Sequence, residues 1–248
     1  MAISARTRVM LASYSGNQCS MPNCGTPLTV EGVAGGAYSQ RGEAAHIKGD
    51  NPGSARYDAL QPDAERDAFE NLIWVCPTCH KTIDDQPDRY PVEALIGYKC
   101  THRESIRTRV FEEMPGLEFA ELEVVARHLM GVASSPTGEF TAPDIADKMR
   151  RNSLTQDNAG FYVNQGLSQF NRVHAYLESQ ARLDSSFPER VKAGFIKRFN
   201  EGVADGLDGD ALFALLLQHA TIGSADMRRQ AAGAAILTYY FSLCEVFE

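Results

Sequence analysis

Two short thiol pairs stand far apart in the chain: CSMPNC carries Cys19 and Cys24, and CPTC carries Cys76 and Cys79. Zinc takes soft ligands in a tetrahedron, and two such hairpins can clamp a single ion between them. The second pair has the spacing of a metal knuckle, and the first has the wider allowed spacing. The pairs flank a glycine-rich segment with little core of its own. Structural Zn2+ held by Cys19, Cys24, Cys76 and Cys79 is therefore the expected use, ahead of redox thiols or small buried hydrophobes. Cys100 and Cys244 fall at apolar positions of expected helices and are read as packed thiols.

His80 follows Cys79 directly, and Asp84 comes one helical turn later. Four thiols complete a closed site, which frees His80 to point elsewhere. Residues i and i+4 share a helix face, so His80 and Asp84 could hold a second, harder cation such as Mg2+ or Mn2+ acting on phosphate. Upstream, RGEAAHIKGDNPGSARYD places His46 at the end of a short strand, before a GDNPG turn. A histidine there can take a proton from water as general base, if it is neutral and held in one tautomer. Asn71 opens the apolar strand NLIWVC, and its amide could bridge the backbone that presents His46. Any one of these residues alone is as readily structural. The grouping of His46, Asn71 and His80 beside two thiol pairs is what points to chemistry.

The elements that must position these groups are uneven along the chain. The 248 residues are 44% hydrophobic, enough for one large domain or two modest ones. Residues 1 to about 112 are rich in Gly, Pro and Cys, so a metal staple is expected there. RYPVEALIGYKCTHRESIRTRVFEEM then has helical spacing, broken by Pro115-Gly116, and FAELEVVARHLMG reads as a second helix capped by Gly131. SSPTGEFTAPD reads as a loop or hairpin, with Pro143 in the first turn of a helix through IADKMRRNSL. From about 161 onward the pattern is entirely helical, and DALFALLLQHATIG and RRQAAGAAILTYYFSLCEVF are apolar nearly all round, as core helices are. The boundary is placed near 113–118, giving domains 1–115 and 116–248.

A net charge of -8 argues against a surface coated for DNA, though not against a local basic groove. No apolar run approaches the ~18 residues that span a bilayer, and the first residues lack the pattern of a signal peptide. A cytoplasmic protein with reduced thiols and no membrane contact is expected.

GEAAHI followed by NLIWVCPTCHKTID resembles the His-Asn-His (HNH) endonuclease family, over about residues 10–105. The resemblance implies a ββα-metal domain, two strands followed by a helix, in the family's four-cysteine variant. It implies that His46 is the general base directing water at a phosphodiester of double-stranded DNA, that Asn71 positions it, and that His80 binds the catalytic ion. The steps from Asn71 to His80 and on to Asp84 match the family spacing. Many members carry an acidic residue or histidine just before the first motif histidine as a metal ligand. Ala45 stands there in this chain, and Glu43, on the same strand face, could substitute. Asp85 rivals Asp84, and Arg56 is a candidate phosphate contact.

The helical half carries no matching cluster. His128, His174 and His219 stand singly and are read as packing or surface residues, and Lys148, Arg150 and Arg151 as a basic, solvated helix end that could touch DNA. Residues 144–248 are similar to the C-terminal domain of ABC-three-component bacterial defence systems, including the Lamassu-type nuclease subunit. The similarity rests on DKMRRNSL, GDALFALLL and ILTYYFSLCEVFE. It implies docking to an SMC- or ABC-type ATPase and a small accessory subunit. The fold class expected is α+β: an N-terminal ββα-metal domain with structural zinc, then an all-α domain. The function expected is a defence-complex endonuclease, quiet in its complex and active on release or homo-oligomerisation. A degenerate zinc adaptor, a CBASS-type nuclease and a restriction-type nuclease are the alternatives.

Overall fold

The computed structural model describes residues 3–30, 39–130 and 145–243. The expected loop at 134–144, the Gly131 cap and Cys244 lie outside them. The fold is α+β, mostly helical with two small antiparallel sheets, and forms two compact units, Met1–Thr108 and Arg109–Glu248.

The first unit opens with α1 (Ala5–Tyr14), whose N-cap Ser4 accepts a hydrogen bond from the Thr7 amide. Gly16 and Asn17, both at positive φ, turn the chain out of the helix. At Gly16 a side chain would also meet Ile106 within 2.9 Å. The pair β1 (Thr29–Val30) and β2 (Ser39–Gln40) precedes β3 (Glu43–His46), which pairs antiparallel with β4 (Leu72–Val75). The register sets His46 against Leu72 and Ala45 against Ile73. Asn71 is the last residue of a 3-10 turn, Phe69–Asn71, rather than the first of the strand. β4 is buried throughout, which is why NLIWV reads as a continuous apolar run rather than an alternating one. The long β3–β4 connection contains, besides that 3-10 turn, the single helical turn α2 (Asp63–Arg66). After β4 come α3 (Pro77–Asp85) and α4 (Val92–Glu113), within which the division between units falls. The core of this unit is small: Leu11, Leu28, Ile47, the four residues of β4, Ile83 and Leu95 form its centre.

The second unit holds α5 (Phe119–Leu129), α6 (Ile145–Arg151), α7 (Phe161–Leu167), α8 (Phe170–Ala181), α9 (Phe187–Ala204), α10 (Gly209–Ala220) and α11 (Met227–Leu243). α11 is the centre of this bundle and packs on α5, α7, α8 and α10. Gly166 lets α7 approach α11 closely, because a Cβ there would sit 2.5 Å from the Thr238 hydroxyl. Lys148 departs from the expected solvated basic cluster: it is 1% exposed, with its ammonium 5.3 Å from the Phe241 ring. Cys100 departs the other way, lying on α4 but exposed. No helix among the described residues is long and apolar enough to cross a membrane.

His219 is half-buried, with its ring 5.5 Å from that of His128 and an edge contact to Phe195. Burial first, then repulsion from His128 and Arg198, pushes its pKa down to about 4. The unfolded chain binds a proton near pH 6.5 that the folded chain refuses until about 4. Stability therefore falls as pH drops through that window, by about 3 kcal/mol for this group. Urea unfolding followed by far-UV circular dichroism should show this loss, and His219→Gln should flatten it.

Candidate functional site

The four cysteine sulfurs lie within 4.8 Å of one another, with Cys24 Sγ 4.0 Å from Cys76 Sγ. A tetrahedral zinc with Zn–S bonds of about 2.3 Å needs sulfurs about 3.8 Å apart, so the group fits that ion. Each thiol is placed by local geometry. The first hairpin closes through hydrogen bonds from the Cys19 amide to the Thr26 carbonyl and from the Cys24 amide to the Met21 carbonyl. Asn23 and Gly25, at positive φ, form its turn. Cys76 caps α3, its sulfur accepting from the Cys79 amide, and Pro77 starts the helix. The Cys76 amide in turn donates to Cys19 Sγ at 3.3 Å. Burial, followed by contact with Cys24, raises the Cys19 pKa to about 11. Burial and then the neighbouring sulfurs also push Cys79 up. Cys24 goes down to about 7, where hydrogen bonds from Thr26 and from its neighbouring thiols outweigh burial. Crowded thiols resist ionising together, and a bound dication removes that resistance.

His80, next after Cys79, enters the site with α3. Its Nδ1 meets Glu43 Oε2 at 2.8 Å and its Nε2 meets Asp84 Oδ2 at 3.4 Å. Asp84, then Glu43, raises the His80 pKa against the opposing effect of burial. Asp84 is held below its usual range: burial raises it, but His80 and Arg56 outweigh that. Asp85 pairs instead with Lys81 at 3.2 Å. Glu43 and Asp84 approach the imidazole from opposite edges and so do not present three ligand atoms to one point. Among the described residues the four thiols are the one group that meets the geometry of a metal site.

Asn71 is buried. Its Oδ1 accepts from the Lys48 amide at 3.0 Å, and its Nδ2 donates to the carbonyls of Lys48 at 2.9 Å and Arg66 at 2.8 Å. It therefore clamps the segment just past His46. The His46 imidazole makes a separate pair, Nε2 to Asp67 Oδ1 at 2.9 Å. Strand alternation puts Glu43 and Ala45 on one face of the β3–β4 pair and His46 on the other.

Arg56 does not stand free as a phosphate contact. Its side chain is 5% exposed, and it donates to the carbonyls of Ile47 at 2.8 Å, Ile83 at 2.6 Å and His46 at 3.2 Å, and to Asp84 Oδ1 at 2.7 Å. Its backbone sits at φ 57. One guanidinium thus ties the end of β3 to α3. Three further residues belong to this framework without any signal in the sequence. Arg66 donates to Gly49, Asp58 and Gln61 carbonyls, Lys99 lies 3.9 Å over the Phe69 ring and donates to the Phe69 carbonyl, and Asp67 pairs with His46 Nε2.

No protein-family model matches the chain, and no curated protein matches it significantly.

Two outcomes test this framework, both read through Trp74, the single tryptophan, which is 2% exposed in β4. Cys76→Ser should lose bound zinc, measured by atomic emission. It should also red-shift Trp74 emission, since structural zinc supplies roughly 10 kcal/mol to small domains. Arg56→Ala should leave three partly buried carbonyls short of a donor and lower the stability of the first unit by about 3 kcal/mol in urea.

Proposed function

We propose that this chain is a metal-dependent DNA endonuclease of the HNH type, a phosphodiester hydrolase whose chemistry lies in the first unit. The observation that carries the reading is the Asn71–Arg56 framework. Asn71 brackets the backbone two residues beyond His46, and Arg56 joins the His46 carbonyl to Asp84, one turn after His80. The order β3, β4, α3, with four thiols at the strand–helix junction, supports the ββα-metal interpretation.

In this reading a neutral His46 accepts a proton from water, and the water oxygen forms a bond to phosphorus. The bond from phosphorus to the leaving sugar oxygen breaks, and that oxygen takes a proton from solvent. A divalent ion, Mg2+ or Mn2+, supplies charge neutralisation at the phosphate when bound. Glu43, His80 and Asp84 are its candidate ligands once the two carboxylates turn to one edge of the ring. The helical unit serves as a docking module in a bacterial defence complex, against an SMC- or ABC-type ATPase and a small accessory subunit. This rests on its resemblance to such subunits. One active centre cuts one strand, so double-strand breaks call for a homo-oligomer.

A second reading, a zinc adaptor that binds DNA or protein without cutting, is favoured by one observation. His46 has the opposite strand parity to Glu43, the carboxylate that meets His80, and position 45 offers no ligand. Incubation with supercoiled plasmid and Mg2+ or Mn2+ separates the two. Nicking is expected, abolished by a chelator under conditions that leave Trp74 emission unchanged, and reduced about 100-fold or more by His46→Ala. A plasmid left intact by wild type and variant alike, at high protein concentration, sinks the enzyme reading in favour of the adaptor.

A further inference from the structure

We infer that Asp67 is a positioning residue that fixes the tautomer of His46 and so makes Nδ1, not Nε2, the nitrogen that takes the proton. The inference deepens the nuclease reading and rests on it for the word proton. The placement stands on geometry alone.

A neutral imidazole has one N–H and one bare nitrogen, and whichever nitrogen faces a carboxylate carries the hydrogen. His46 Nε2 lies 2.9 Å from Asp67 Oδ1, so Nε2–H donates to the carboxylate. Among the described residues the ring has no other hydrogen-bond partner, which leaves the Nδ1 lone pair for an outside donor such as water. Neither side chain is sealed from solvent: His46 is 19% and Asp67 25% exposed.

Asp67 is itself held. It follows α2 directly, and its carbonyl accepts from the Thr7 hydroxyl of α1 at 3.4 Å. The Asn71 amide bonds to Ala68, and the Asn71 side chain to Arg66, so the residues on both sides of Asp67 are pinned. The same asparagine that brackets His46 on its strand thus also steadies the loop that carries the partner of His46. An aspartate in this place does what a protonated or rotating partner could not. It selects one tautomer, holds the ring plane, and stabilises the imidazolium formed when Nδ1 takes up a proton.

The test uses the full chain with its zinc. Nitrogen-15 correlation spectra of the histidine side chains, with His46 assigned through His46→Gln, report the tautomer directly. Expected are an Nε2–H ring in the wild type and a mixed population in Asp67→Asn, with Asp67→Glu restoring most of the wild-type state. In parallel, Asp67→Asn should lower kcat for plasmid nicking roughly 10- to 100-fold with KM little changed. An Nδ1–H ring in the wild type, or a tautomer ratio unmoved by Asp67→Asn in a protein with native Trp74 emission, overturns the inference whatever the nicking assay shows. The expected spectra together with a wild type that never nicks DNA uphold the tautomer assignment and refute the nuclease reading instead.

Discussion

The first unit depends on four sulfurs brought within 4.8 Å of one another. Its apolar core is small, and from the hairpin at Cys19–Cys24 it takes Cys19 and Met21, with Cys24 packed against it. What joins that hairpin to β4 and α3 is the electrostatics of the thiol group. Burial first, and then the neighbouring sulfurs, drive Cys19 and Cys79 away from ionisation. A bound zinc ion would reverse that preference by meeting each thiolate with charge, and would make metal binding and folding one event. His80 inherits its position from this clamp. It is the residue after Cys79, its amide donates to the Cys76 carbonyl at 2.9 Å, and it enters the site already oriented by the helix cap.

Where the sulfurs end, buried polar groups take over. The connection between β3 and β4 runs from residue 47 to 71 with few apolar side chains, and two arginines hold it. Arg56 and Arg66 each feed guanidinium donors to three backbone carbonyls and one carboxylate. The carboxylates of Asp84 and Asp63 keep the two charges paired, without which burying them would cost several kcal/mol. Asn71 and Lys99 add the last bonds. The positive φ of Arg56 is strain that four hydrogen bonds offset.

Much of this was readable before any coordinates. The thiol spacing predicted one metal group because two hairpins of that type have few other uses in a reduced protein. The helix from Val92 to Glu113 ends just before Pro115-Gly116, because a proline removes the amide and clashes with the preceding turn and the glycine beside it adds no helix preference. The apolar runs in α10 and α11 declared a core, and α11 is indeed buried on nearly every residue by helices of its own unit. Its apolarity is thereby used up internally and supplies no argument for a partner. What stayed hidden is what depends on contacts between distant segments. Nothing in the spacing marks Asp67 as the partner of His46, or Arg56 as a strut rather than a surface charge. Lys148 sits in a run of basic residues yet is buried over Phe241, because helix phase and not composition decides which side chains face inward. Cys100 shows the converse, an apolar residue type on the outer side of α4.

Strand parity decides how the two halves of the site relate. Side chains along β3 alternate, so positions 43 and 45 share one face and His46 has the other, and Glu43 reaches His80 of α3. Ala45 lies directly opposite Ile73, deep in the sheet at 0% exposure, where a carboxylate would be buried against apolar carbon. Glu43 stands at the strand's first residue, opposite Val75, close to the point where β4 hands over to α3. That position brings an acidic group to His80 without burying it in the core, and it reaches Nδ1 while Asp84, one turn along α3, reaches Nε2. The alanine thus moves the acidic partner from the middle of the sheet to its rim. Arg56 compensates for the parity of His46: its donors hold the His46 carbonyl and the Asp84 carboxylate at 3.2 and 2.7 Å from one nitrogen. The end of β3 and the second turn of α3 are thereby kept at a fixed separation, although His46 and Glu43 differ in strand parity.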